Sequence, residues 1–62
     1  MNKEEFKNKV LEKLREYAKN KSEKDLTKAI NEYADIIEEG YTHYQGIEYG
    51  IDYAAWNISL CL

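Results

Sequence analysis

His43 and Cys61, the only histidine and cysteine in this 62-residue chain, are the first places to look for nucleophilic or soft-metal chemistry. Neither has a partner in the pattern that such chemistry needs: there is no CxxC and no Cys/His cluster from which to assemble a zinc site or a disulfide framework. A glycine-rich phosphate loop, a G-x-S-x-G elbow and an HExxH helix are all missing. So are the paired E-x-x-H segments that build a carboxylate di-metal bundle. His43 would approach Glu39 only if a turn at Gly40 permits it, and Cys61, between Leu60 and Leu62, reads as a small apolar side chain at the chain end. The expectation is a protein with no catalytic residues, no metal and no cofactor.

What does stand out is a set of tyrosines, one tryptophan and unanswered carboxylates. All nine basic residues lie between Lys3 and Lys28 with six acids, so that half is +3; residues 29–62 hold six acids and no Lys or Arg, so that half is −6. Five of the six tyrosines fall in the acidic half. Glu32, Asp35 and Glu39 share one face at helical spacing, and Glu48 and Asp52 stack one turn apart. Lysines and arginine of the first segment answer these acids within the fold, or they form a solvated face, or they steer a basic partner toward Tyr49, Tyr53 and Trp56. Those rings supply large, rigid, amphipathic area of the kind enriched at binding hot spots.

The elements that position these residues are marked by capping signatures, in which a short polar acceptor precedes an acid or amide by three residues. They are Asn2 with Glu5, Ser22 with Asp25, and Thr42 with Gln45; Gly40 fits the left-handed residue that ends a helix. Helices are therefore predicted near residues 3–19, 23–39 and 43–60. Phe6, Val10, Leu14 and Tyr17 form one apolar stripe, and Leu26, Ile30, Tyr33 and Ile37 a second. Short connections give an all-α, up-down-up three-helix bundle in a single small domain over residues 1–62, because so short a chain holds one core. The alternative is an α+β fold with residues 47–53 as a strand, since Ile47, Tyr49, Ile51 and Tyr53 alternate with Glu48, Gly50 and Asp52. No hairpin dipeptide offers that strand a partner, which favours the helix.

As a helix, residues 43–60 carry two apolar faces. Ile47, Ile51, Ala54 and Ile58 lie on one side and Tyr49, Tyr53, Trp56 and Leu60 nearly opposite, with Gly46, Gly50 and Ala54 forming a groove of small residues along one flank. Gln45, Glu48, Asp52 and Ser59 are the wet flank. Helices 1 and 2 offer one stripe each. Either helix 3 sits centrally with both faces covered, or the aromatic face is left as a contact surface.

Several function classes are disfavoured. The lysines of helix 1 are interleaved with Glu4, Glu5, Glu12 and Glu16, a poor footprint for phosphate backbones, so direct nucleic-acid binding is not expected. The apolar third helix carries Glu48 and Asp52 without flanking lysine or arginine, the reverse of what anionic lipid attracts. No signal-peptide apolar run follows the first ten residues, which points to the cytoplasm.

In size, acidity and lack of catalytic groups the chain resembles the small inhibitors carried by bacteriophages and mobile elements, such as anti-CRISPR and antirestriction proteins. The likeness is one of composition and covers no motif. Many nucleic-acid mimics of that kind are acidic throughout, whereas residues 1–28 here are net basic, so binding through one face is the version implied. The expectation is a non-enzymatic inhibitor or adaptor that docks Glu32, Asp35, Glu39, Glu48, Tyr49, Asp52, Tyr53 and Trp56 onto a basic site of another protein, such as one that binds nucleic acid. The alternative is a structural homo-oligomer, paired across a two-fold axis through the Gly46, Gly50 and Ala54 groove.

Overall fold

A computed structural model describes residues 1–44 and 46–62, in four helices: α1 (Lys3–Tyr17), α2 (Glu23–Glu32), α3 (Ala34–His43) and α4 (Ile47–Leu60). The fold is all-helical, with no strand among the described residues; residues 47–53 belong to α4. The expected count of three helices is corrected to four, because the predicted second helix is two.

Two of the three predicted starts are made as expected. The Asn2 side chain accepts from the backbone N–H of Glu5 at 2.8 Å, and the Ser22 hydroxyl accepts from Asp25 N–H at 3.2 Å. Each satisfies a donor that the first helical turn leaves without a partner. The Arg15 guanidinium forks onto both carboxylate oxygens of Glu23, at 2.6 to 3.0 Å, and clasps the end of α1 to the start of α2. That bond holds the Glu23 carboxyl below the usual carboxylate range.

The second predicted helix breaks at Tyr33, whose backbone sits at φ −105°, ψ 40°. No proline or glycine lies there, so the break has no local cause in residue type. Its cause is tertiary, in how the two halves pack, α2 on α1 and α3 along α4. Bending at Tyr33 keeps Leu26, Ile30 and Ile37 directed at one core while letting α3 lie along α4. Glu32 therefore ends α2 while Asp35 and Glu39 ride on α3, and the three no longer share one helix face.

Gly40 does not end a helix. It lies inside α3 with no left-handed backbone, and its missing side chain serves a close approach instead. A Cβ on Gly40 would stand 2.8 Å from the carbonyl oxygen of Gly50, and a Cβ on Gly50 only 2.3 Å from that of Gly40. The α3 and α4 backbones thus touch directly. Thr42 is likewise not a cap: it belongs to the last turn of α3, and its hydroxyl donates to the Glu38 carbonyl one turn back at 2.8 Å. Its expected partner Gln45 lies outside the described residues. The last helix starts at Ile47 rather than residue 43, with Gly46 as its N-cap and no side-chain cap bond.

The core draws Phe6, Val10, Leu14 and Ala18 from α1 and its cap, Leu26, Ala29 and Ile30 from α2, Ile37 from α3, and Ile51, Ala54, Ala55 and Ile58 from α4. Ala18 takes the place predicted for Tyr17, which is 38% exposed. Ile47, predicted on the inner side, is 47% exposed because it opens α4 beyond the cover of the other helices.

Gly50→Ala is expected to destabilise the fold by about 1–3 kcal/mol through overpacking, outweighing the gain of up to about 1 kcal/mol in helix propensity. Gly46→Ser is expected to stabilise it by about 0.5–1 kcal/mol, because Gly46 already has the extended backbone of an N-cap (φ −93°, ψ 125°). Chemical denaturation of the two variants checks both signs; a Gly50→Ala protein as stable as the parent would refute the backbone contact.

Candidate binding surface

The inner half of α4 is built of small or branched residues, Gly50, Ile51, Ala54, Ala55 and Ile58, and is covered by α1 on one side and α3 on the other. The large side chains point the other way. Tyr49 is 70% exposed, Trp56 51% and Leu60 66%, while Tyr53 is half-buried. The aromatic face is thus uncovered in the chain by itself. The small-residue flank is not open: Gly40 and Phe6 face Gly50, and Gly40 faces Ala54, so the close approach that Gly50 and Ala54 permit is made within the chain.

Two aromatic groups form the surface. In the first, Tyr44 lies against Tyr53 (ring centroids 4.5 Å apart) and stacks on Tyr49 at 5.6 Å with planes inclined by 21°. Burial pushes the Tyr53 phenol above its ordinary pKa, and the neighbouring Glu39 carboxylate and Tyr44 push it further. In the second, Tyr17 meets Trp56 edge to face at 5.4 Å and 84°, an arrangement favoured by ring quadrupoles. The Tyr17 hydroxyl donates to the Asp52 carboxylate, which with partial burial and the carboxylate charge raises the phenol pKa. Lys13 Nζ lies 5.8 Å from the centre of the Tyr17 ring.

Of the eight residues singled out from the sequence, Tyr49, Asp52, Tyr53 and Trp56 lie together on α4 and Glu39 reaches them from α3. Glu48 and Asp52 line an open groove of about 630 Å³ between α4 and α1, to which α1 contributes Lys9 and Lys13 as well as Glu12 and Glu16. Glu32 and Asp35 are exposed on α2 and α3, and no hydrogen bond or ion pair among the described residues ties either of them to the aromatic groups. Lys3 pairs with Glu38, Lys9 with Glu12 and Arg15 with Glu23; among the described residues no cation comes within 4.0 Å of Glu39, Glu48 or Asp52.

Two residues of the surface escape the sequence reading. Tyr17 fits the apolar stripe of α1 as well as Ala18 does, and only the position of α4 turns it outward. Tyr44 follows the last residue of α3 and belongs to no stripe; its signal is only the local density of tyrosine around residues 41–53. His43 is exposed, and among the described residues no group of three or more His, Cys, Asp or Glu side chains is placed to hold a metal ion. No helix among them is long and apolar enough to cross a membrane.

Because the folded-state Tyr17 phenol keeps its proton above the ordinary range, the stability it contributes is full below about pH 10 and is lost as pH rises through the folded-state value. Tyr17→Phe removes the donor and with it this alkaline loss. Denaturation midpoints followed from neutral pH upward should fall less steeply for Tyr17→Phe than for the parent; equal slopes would assign the alkaline loss to other groups. No protein-family model matches the chain, and no curated protein or solved structure matches it either.

Proposed function

We propose that the chain is a non-enzymatic binding module, an inhibitor or adaptor that docks the outer face of α4 onto a basic site of another protein in the cytoplasm. The single observation that supports this reading is the uncovered row Tyr49, Trp56 and Leu60, lying beside carboxylates without cation partners. Contiguous apolar and aromatic surface of this kind marks interaction sites more often than solvated surface. The carboxylates raise the rate of encounter with a positive patch, and the rings supply most of the affinity. The basic site is one that serves nucleic acid in the partner, in the manner of the anti-defence proteins of phages and mobile elements that the composition resembles. Glu32 and Asp35, apart from the aromatic groups, act only by long-range steering.

Self-association through the same face is the weaker reading. A two-fold axis through α4 would bring Glu48 and Asp52 toward their copies, and like charges at an interface oppose it.

The test compares proteins retained from cells of the source by the parent chain, by Tyr49→Ala/Trp56→Ala and by Glu48→Lys/Asp52→Lys. Both exposed pairs should leave the helical signal intact. The expected outcome is a protein retained by the parent in a salt-sensitive manner and lost from both variants, with a loss of roughly 100-fold in affinity for the aromatic pair, about 3 kcal/mol. Retention unchanged in the aromatic pair overturns the assignment.

A further inference from the structure

We infer that the outer face of α4 recognises an arginine of its protein partner, with the guanidinium stacked on Trp56 and its N–H groups directed at Asp52; this rests on the docking reading above and specifies its chemistry. Asp52 stands one turn from Trp56 in one direction and one turn from Tyr49 in the other, so a single carboxylate lies between two exposed aromatic rings on one ridge of the helix. The carboxylate accepts one internal hydrogen bond, from the Tyr17 hydroxyl, and keeps acceptor capacity beyond it. Glu48, a further turn toward the start of α4, adds a second carboxylate along the groove, which Lys9 and Lys13 of α1 also line without pairing with either acid.

A planar guanidinium lies flat on an aromatic ring while its edge donates to a carboxylate beside that ring. A compact ammonium, strongly hydrated, does one or the other. The chain itself places a lysine on a ring here, Lys13 over Tyr17, so that ring is taken and Trp56 and Tyr49 are the surfaces left for an incoming cation. The occupant is not a second copy of this chain. Arg15 is its only arginine, and both carboxylate oxygens of Glu23 hold it.

The experiment titrates the full chain with blocked hexa-arginine and, separately, blocked hexa-lysine, following the Trp56 indole N–H and the backbone amides of α4 by NMR, with sedimentation as a check on oligomeric state. Hexa-arginine should bind about fivefold more tightly than hexa-lysine of equal charge and should move the Trp56 and Asp52 signals most. Trp56→Leu, which keeps apolar area without a ring, should reduce that preference to near unity. Asp52→Asn, which can still accept from Tyr17, should weaken both peptides.

Equal affinity for the two peptides overturns the inference, as does a perturbation centred on Glu32 and Asp35 or a preference that survives Trp56→Leu. A dimer that shields Trp56 before peptide is added overturns it as well. These outcomes differ from failure of the docking reading, which would be seen as a partner retained by Tyr49→Ala/Trp56→Ala.

Discussion

The direct contact between the Gly40 and Gly50 backbones is the constraint on which the rest of the molecule depends. Glycine at both positions lets α3 lie against α4 at a separation that any side chain would forbid. Once α3 is seated there, with α1 on the neighbouring flank, the rotation of α4 about its own axis is fixed. Ala54, Ala55 and Ile58 turn inward because only small or branched groups fit between two helices that close. The rings of Tyr49 and Trp56 are consequently turned out.

That arrangement inverts the usual use of large apolar residues. In a chain of this length every buried aromatic ring counts, since burying such a ring contributes on the order of 2–3 kcal/mol and a small core yields a margin of only a few kcal/mol. Among the described residues Phe6 is the only ring that is fully buried, and the tryptophan stays half outside. Among the described helices none covers it, because α2 packs on α1 and α3. Surface that a third neighbour of α4 would bury stays uncovered, and the proposed docking rests on it.

Electrostatics follows the same division. Among the described residues, the basic first half of the chain answers the acidic second half by an ion pair at only one point, Lys3 with Glu38; the other ion pairs, Lys9 with Glu12 and Arg15 with Glu23, lie within the first half. These exposed pairs each contribute little to stability. Their more useful consequence is distributional: Lys3, Lys9 and Arg15 pair with other acids and Lys13 is set over the Tyr17 ring, so that, among the described residues, no cation comes within 4.0 Å of Glu48 or Asp52 although Lys9 and Lys13 line the same groove. Under the proposed docking, a mixed surface with one negative, ring-bearing ridge directs encounter to one place rather than to the whole surface.

The sequence by itself determined what depends on near neighbours along the chain: helical content, the caps at Asn2 and Ser22, the stripe Phe6–Val10–Leu14, and a last helix with two apolar faces. Each of these is a periodicity or a bond between residues three or four apart, and so is written locally. Tertiary structure decided the rest. Glycine ends helices and also lets helices touch, and nothing beside Gly40 says which; the answer lies on α4, at Gly50. The bend at Tyr33 has no proline or glycine to announce it and follows from the packing of α2 on α1 and of α3 along α4. Tyr17 and Ala18 compete for one inward position at the end of α1, and the smaller wins because α4 lies close. Which face of α4 meets water was likewise open, since hydrophobic pattern gives the direction of each side chain from its own axis but not the number of helices that arrive to cover it.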